Sequence, residues 1–588
     1  MASLRRTHNC GELRESHAGQ EVMLNGWVHT YRDHGQFIFI DLRDRYGITQ
    51  VVFEPGRGQK LFDLGRELRS EFCIAVKGMV SRRLAGKERT DMPTGLVEVQ
   101  ATDLHIFNRC PTPPFEISEP PGTELANEDL RMAHRYLDLR RPTQQRMLGL
   151  RHQLIKTIRD DLSAQGFLEI ETPFLGKSTP EGARDYLVPS RVHPGAWYAL
   201  PQSPQLYKQL LMVAGYDKYF QIARCMRDED LRADRQPEFT QLDFEMSFVE
   251  QDDVLGVIER LMAAVFRETV GVNVVTPFRR LTYSDVMLRY GSDKPDLRFG
   301  MEIAECTDIA PQTEFQVFKS AAKVRAINVK GAAEKFSRKH IDELTEFVKQ
   351  FGAKGLAWIK VEAEKFNAPI EKFLPAPSQA VLRERLAASA GDLLLFVADA
   401  EETVCQALGA LRVEVARRLN LFDPLRKQFE VAWIVDFPAF SFDAEEKKWV
   451  SNHHPFTAPR NEHIQYLESD PGKVYAKAYD LVINGYEAGG GSIRIHDPEV
   501  QSRVFTTLGL EVAQAREKFG FLLDALKYGA PPHGGIALGI DRLTMILGGT
   551  TNIRDVIAFP KNKQARDLMT GAPSPVDARQ LKDLGLKS

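Results

Sequence analysis

The 588-residue chain is poor in cysteine, and its six cysteines (10, 73, 110, 225, 306 and 405) are scattered. None forms a CxxC pair or a zinc-finger spacing, which excludes a disulfide framework and argues for free thiols in a reducing compartment. No uninterrupted apolar run reaches the length of a bilayer span, and the opening MASLRRTHNCGELRESHAGQ holds no apolar core of a secretory signal. A cytoplasmic protein with no membrane contact is expected. Charge of one sign is not in excess: the net is -3, so any contact with nucleic acid must rest on local basic patches. Common phosphate and hydrolase fingerprints are missing too. LGKS at 175–178 ends like a P-loop, but Glu171 stands where the first glycine belongs, and AGGGS at 488–492 does not make GxGxxG. No Ser-His-Asp nucleophile elbow is found.

What is present is ordinary globular composition, 43% hydrophobic and 27% charged, at a length that predicts three or four domains. VMLNGWV, QFIFIDLRD and ITQVVF, then 72–80 and 96–107, read as five short strands of a small closed barrel, domain 1–109. CPTPPFEISEPP carries five prolines and opens a linker over 110–140. Residues 142–166 have helical period, with Leu150, Leu154, Ile155, Ile158 and Leu162 on one face and Gly166 at the end. Motif-dense sequence over 141–297 and 426–560 reads as one core, interrupted by an α+β module at 298–425. Residues 561–588 read as a surface tail.

One stretch raises a question of its own. QIARCMRDEDLRADRQPEFTQLDFEMSF (221–248) is a strand, a loop dense in mixed charge over about 226–238, and a second strand. In the second strand Leu242, Phe244, Met246 and Phe248 alternate with Gln241, Asp243, Glu245 and Ser247. The loop is either a solvated hairpin tip with weak surface ion pairs, or a flap closing over a polyanion with Arg on phosphate and Glu on base or metal.

Five other segments bear on that choice. QSPQLYKQLL (202–211) opens a helix with Gln205 and Lys208 on one face, and STPEGARDYLV (178–188) is a turn presenting Glu181. In SNHHPFTAP (451–459), His453 and His454 are adjacent on extended chain and point oppositely, so they make a poor metal pair. NGYEAGGGSIRIHD (484–497) sets Glu487 before three glycines, which permit close backbone approach by a ligand, and then places Arg494 on a strand suited to bidentate carboxylate binding. In HGGIALGIDRLTMILGG (533–549), Arg542 occupies the first turn of a helix, where the dipole disfavours a cation unless an anion is nearby.

Together these pieces resemble a class II aminoacyl-tRNA synthetase and, over essentially the whole chain, its bacterial-type aspartyl branch. GFLEIETPFL (166–175) resembles motif 1, RDE (227–229) with the following strand motif 2, and GIALGIDRL (535–543) motif 3. The broad class ends motif 3 in Gly-x-Glu-Arg; Asp541 here matches the aspartyl branch. The class I signatures HIGH and KMSKS are absent.

The resemblance implies a multidomain α+β protein: an N-terminal OB-fold barrel, a class II antiparallel-sheet catalytic core and an inserted α+β domain. It implies ATP as substrate with Mg²⁺, L-aspartate and tRNA-Asp as partners, and a homodimer. Arg227 would contact the α-phosphate and Arg542 the γ-phosphate, both as catalytic groups. Asp228, Glu229, Gln236, Glu487, Gly539, Ile540 and Asp541 would complete the ATP site, with Glu487 and Asp480 holding the metal. Gln205, Lys208, Arg227, His453 and Arg494 map onto the aspartate pocket, with Glu181 and Asp243 near the substrate ammonium.

Asparagine is nearly isosteric with aspartate, and rejecting it by about 10⁴ requires on the order of 5–6 kcal/mol. Lys208 and Arg494 would supply it as desolvated cations left without a counter-charge by an amide. On the barrel, Arg32, Phe39 and Gln50 would contact the anticodon, although Phe39 within the alternating FIFI is equally readable as core. Family members that also charge tRNA-Asn carry a His and a Gly in two loops, matched here by His34 and Gly86. A non-discriminating enzyme is expected, the alternative being one that charges tRNA-Asp only. An asparaginyl relative and an inactive RNA-binding paralogue are the further competitors.

Overall fold

Val, Leu and Ile recurring at alternate positions direct one face of each strand inward and curl the first hundred residues into a barrel. β1 (Glu21–Asp33), β2 (Ile38–Asp44), β3 (Gly47–Phe53), β4 (Cys73–Arg82) and β5 (Val97–Asn108) close in the order β1-β2-β3-β5-β4. Leu24, Val28, Ile38, Ile40, Val51, Val76 and Val99 are among its fully buried core. The computed structural model describes residues 4–120, 122–179, 183–229, 235–423 and 427–586. It divides into two units: Met1–Leu148 with Ala558–Asn562 and Arg566–Ser574, and Gly149–Ile557 with Lys563–Ala565 and Pro575–Ser588.

Two expected boundaries change. The linker is irregular only up to Asn127, which caps a helix at Glu128–Ala133 that is followed by Arg135–Asp138. Asp138 is wholly buried there and accepts from Arg135 and, at 2.7 Å, from Arg141. A buried carboxylate held by cations three residues to either side organises this half of the linker. The expected surface tail is also partly structural. Its leading residues belong to the first unit, where Arg135 Nε donates to the Ala558 carbonyl at 3.0 Å and Asn562 is buried. The chain then forms a short helix at Ala578–Asp583.

The second unit is built on an eight-stranded sheet. Its strands are β6 (Leu168–Glu169), β7 (Lys218–Met226), β8 (Glu238–Ser247), β9 (Arg279–Thr282), β10 (Val431–Val435), β11 (Ala478–Ile483), β12 (Tyr486–Ile493) and β13 (His533–Gly539), in the order β9-β10-β11-β12-β13-β8-β7-β6. The centre is antiparallel as expected, whereas the outer pairs β6–β7 and β9–β10 are parallel. The helices used below are α1 (Pro142–Ala164), α2 (Gln205–Val213), α3 (Gln251–Val270), α4 (Tyr283–Tyr290), α5 (Glu401–Arg418) and α6 (Ile540–Gly548). α1 buries Leu154, Ile158 and Leu162, with Leu150 and Ile155 half-buried beside them.

Between the two halves of this sheet the chain makes a five-stranded sheet of its own, ordered 303–305, 323–329, 393–399, 357–361 and 366–367. Leu393, Leu395 and Val397 enter one core, and Leu394 and Phe396 enter the other. Burial on both faces explains the unbroken LLLFV run.

Candidate active site

The central strands of the large sheet form the floor of a cavity of about 700 Å³. One cross-strand row spans it. Asp480 on β11 pairs with Gly490 on β12, Gly490 with Ala537 on β13, Ala537 with Asp243 on β8, and Asp243 with Gln221 on β7. Acids thus flank the smallest side chains, which leave room above the backbone. At a strand spacing of about 4.8 Å, Asp480 and Asp243 stand about 14 Å apart. The three glycines divide their work. A Cβ on Gly490 would meet Asp480 Oδ1 at 2.7 Å on the cavity side, while at Gly489 and Gly491 it would collide with the paired strand β13.

At the Asp243 end lies a buried group of four charges. Lys208, on the inner face of α2, reaches Asp243 at 2.7 Å and Glu245 at 3.3 Å. Arg494 donates from Nε and Nη2 to the two oxygens of Glu245 at 2.9 and 3.1 Å. All four side chains are at most 2% exposed. Two cations and two carboxylates balance, which corrects the expectation that an amide would leave Lys208 and Arg494 without a counter-charge: Glu245, on the polar face of β8, pairs with both, and Asp243 pairs with Lys208. Burial pushes the Glu245 carboxyl up, and Arg494 and Lys208 more than offset it, so its pKa lies below the usual range. Burial dominates at Asp243 and raises its pKa despite Lys208. Asp243 Oδ2 is buried and takes no hydrogen bond among the described residues.

Above this group, His454 Nε2 meets Arg494 Nη1 at 2.8 Å, and His453 packs edge-on against Phe437. Both histidines line the cavity, so neither is turned away from it. Burial and the Arg494 charge hold His453 down to about 4 and His454 well below the usual value, so both are neutral at pH 7. Gln205 is buried beside Lys208 on α2 and donates to Gln209 at 3.1 Å.

The other end is lined by Arg227, Glu229, Gln236, Asp480, Glu487, Gly539 and Arg542. Arg227 lies over the Phe239 ring at 5.0 Å, and Glu229 pairs with Arg235 at 3.1 Å. Arg542 reaches back from α6 to the Glu487 carbonyl, with the Glu487 carboxylate 3.9 Å away. Burial, Glu487 and Asp293 together raise Asp480 well above the carboxylate range.

Two expected ATP contacts, Ile540 and Asp228, lie off the cavity, and a third, Asp541, lines it with its carboxylate already engaged. Ile540 is fully buried in the first turn of α6. Asp228 is turned towards Arg184, 3.6 Å away, and does not line the cavity. The Asp541 carboxylate is taken by Arg151 and by the backbone N–H of Thr240 (2.8 Å). Glu181 lies outside the described residues. Glu245 and Phe239 were not singled out from the sequence. The alternation of β8 held the signal for Glu245, because a carboxylate directed at the Lys208 helix must be paired.

In the first unit, Ile38 and Ile40 point into the barrel and the half-buried Phe39 points out. Its core alternative is thereby removed. Phe39 stacks edge-on with His34 and lies near the exposed Phe37. Arg32 donates to Asp41 and Gln50, both at 3.2 Å, and Gln50 donates to Glu98 at 2.8 Å, so its amide is held at both ends. Gly86 is exposed, with φ +80°.

The sequence matches the family model described as tRNA synthetases class II (D, K and N) over residues 127–563, and an OB-fold nucleic acid binding domain over 22–107. It is 54% identical to the Aspartate--tRNA(Asp/Asn) ligase of Caldanaerobacter subterraneus subsp. tengcongensis, covering 100% of this chain and 99% of that one. It is 53% identical to the Aspartate--tRNA ligase of Geobacillus kaustophilus, covering 99% of each. Among solved structures it resembles asparaginyl-tRNA synthetase from Pyrococcus horikoshii complexed with asparaginyl-adenylate (TM-score 0.58, 20% identity, 94% and 97% coverage). It resembles aspartyl tRNA synthetase from Entamoeba histolytica to the same degree (TM-score 0.58, 19% identity, 95% and 92% coverage). At that identity the likeness concerns the fold alone and does not separate the two amino acids. With an OB-fold barrel before a cavity that is acidic and arginine-lined at one end and charge-paired at the other, the chain belongs to the class II tRNA synthetases of the aspartate, lysine and asparagine group.

Proposed function

We propose that the chain is an aspartate–tRNA ligase that activates L-aspartate with ATP to aspartyl-adenylate and transfers it to the 3′ end of tRNA-Asp and also of tRNA-Asn. The observation that carries this is the buried Lys208–Asp243–Glu245–Arg494 group, in which Asp243 Oδ2 has no hydrogen-bond partner among the described residues. The substrate ammonium takes that oxygen. Lys208 and Arg494 then turn part of their charge to the substrate side-chain carboxylate, with Gln205 and His453 beside it. An asparagine amide offers these cations nothing of the kind.

At the other end, Arg227 takes the α-phosphate and Arg542 the γ-phosphate, with Glu229 and Gln236 completing the nucleotide contacts and Phe239 offering a ring face for a base. Asp480 and Glu487 fit a divalent cation: they are two neighbouring carboxylates, and the pKa of Asp480 is raised by burial and by the acids beside it. Mg²⁺ prefers one or two carboxylates together with phosphate oxygens. Bound there it would neutralise phosphate charge. The aspartate α-carboxylate attacks the α-phosphorus in line and pyrophosphate leaves; the terminal ribose hydroxyl of the tRNA then attacks the mixed anhydride and AMP leaves. The arginines act by positioning and by charge neutralisation.

Phe39 supplies a stacking face for an anticodon base, with Arg32 and Gln50 beside it. Charging of tRNA-Asn is supported by His34 and Gly86 and by the Asp/Asn relatives, and the Geobacillus kaustophilus name keeps the tRNA-Asp-only reading as the alternative. A homodimer is supported by Leu168, Phe174 and Leu175 of the motif 1 segment, each about half exposed in a single chain. Pyrophosphate exchange assayed with each amino acid tests the first step, and exchange with asparagine in place of aspartate overturns it. Aminoacylation of an unmodified tRNA-Asn transcript tests the second; no charging above background restricts the enzyme to tRNA-Asp.

A further inference from the structure

One helix of the inserted module touches the wall of the cavity. α5 runs against residues 291–301, which follow α4. Two glycines allow the approach: a Cβ on Gly409 would stand 2.5 Å from the Gly291 carbonyl oxygen, and one on Gly291 would stand 2.2 Å from that of Cys405. Nearly one turn further along α5, Arg412 is 1% exposed. Its Nη2 donates to the carbonyls of Asp296 (3.1 Å), Phe299 (3.4 Å) and Gly300 (3.1 Å), and its Nε to that of Met301 (3.3 Å). The guanidinium also lies over the rings of Tyr290 and Phe299, at 4.9 and 4.7 Å. It makes no ion pair among the described residues, and burial pushes its pKa down to about 10. A desolvated cation held by carbonyls and ring faces fixes the backbone it grips, because only one geometry satisfies the planar fork.

The gripped segment reaches the nucleotide end of the cavity twice. Asp293 lines the cavity and acts electrostatically on Asp480. Asp296, held by Arg298 at 2.6 Å, packs on the turn between β11 and β12, where a Cβ on Gly485 would meet the Asp296 Cβ at 3.1 Å. That turn joins the strands that carry Asp480 and Glu487.

We infer that Arg412 of the inserted module is a positioning residue for the nucleotide end of the active site, holding residues 291–301 so that Asp293 and the β11–β12 turn keep their places. The inference rests on the reading of this cavity end as the ATP site. Arg412→Lys keeps the charge but not the fork, and Gly409→Ala pushes α5 off Gly291. The test measures KM for ATP and for aspartate in pyrophosphate exchange, together with amide hydrogen exchange of 291–301 and 480–487, at a temperature where the variants are folded. The expected result is an ATP KM raised fivefold or more, an aspartate KM within twofold of wild type, and faster hydrogen exchange in both segments. An unchanged ATP KM, an equal rise in both KM values, or unaltered hydrogen exchange at 480–487 overturns it. Should Gly409→Ala fail to fold, Arg412→Lys, which adds nothing to the helix contact, carries the test. Should wild type show no ATP-dependent exchange, the ATP reading itself fails, while the hydrogen-exchange arm still reports whether α5 fixes the β11–β12 turn.

Discussion

Asp243 and Asp480 occupy one cross-strand row of the large sheet, and their surroundings are opposite. Asp243 meets Lys208 at 2.7 Å, whereas Asp480 stands among other acids, Glu487 and Asp293. For Asp480 the folded pKa is raised above the unfolded value of about 3.9. Between those two values the folded state holds more protons than the unfolded state, so stability falls as pH rises through the window. Asp480→Asn is therefore expected to melt at a higher temperature than wild type at pH 7.5 without Mg²⁺, with the advantage shrinking towards pH 4. Its pyrophosphate exchange should fall at least tenfold. A lower melting temperature at pH 7.5 would count against a destabilising acid cluster.

Glu245 bears on both buried cations. Glu245→Gln keeps the shape of the side chain but leaves Arg494 without its bidentate partner. Breaking one partner of a buried ion pair costs about 3–5 kcal/mol. Urea unfolding should show a loss of that order, and the aspartate KM should rise while the ATP KM holds. Wild-type stability in this variant would show that the four-charge group is not a unit.

His453 provides a pH signature. Its pKa is held down to about 4 by burial and by Arg494, against an unfolded value of about 6.5. The unfolded state therefore binds the proton first, and the contribution of His453 to stability is complete above about pH 6.5 and lost as pH falls towards 4. The pH dependence of stability in that window should be shallower in His453→Gln than in wild type, as read by denaturant midpoints at pH 4.5, 5.5, 6.5 and 7.5. Parallel curves would remove His453 as the titrating group.

Phe39 stands outside the barrel core, so Phe39→Ala is expected to leave folding and pyrophosphate exchange unchanged. Loss of one base–aromatic stack is worth about 1–3 kcal/mol, roughly 5- to 150-fold in tRNA KM. Aminoacylation kinetics at fixed ATP and aspartate measure it; an unaltered tRNA KM would place the anticodon contact elsewhere.

The barrel strands and the alternation of β8 were legible in the sequence because a period of two is imposed by the pleat whatever the partner strand is; the antiparallel centre of the catalytic sheet came from the resemblance. Lys208, Asp243 and Arg494 were assigned to the cavity through the resemblance of their motifs, since Lys208 on its helix, read alone, fits a surface position equally well. What local pattern could not carry was pairing between distant segments. Asp541 reads as a ligand by its place after Gly539, yet its carboxylate is used by Arg151 and Thr240, from segments hundreds of residues away in sequence. The second half of the linker was unreadable because its order comes from an ion network around Asp138 and not from a hydrophobic period.

The sequence by itself determined the barrel strands and which face of β8 is polar, since each follows from local periodicity, and its motifs, in their order, carried the resemblance to the family. Only the tertiary structure decided that Glu245 pairs with both pocket cations, that Asp480 and Asp243 share a row about 14 Å apart, and that α5 of the inserted module grips residues 291–301. Those facts depend on strand register and helix approach, which are set by the packing of the whole unit and leave no mark within any single segment.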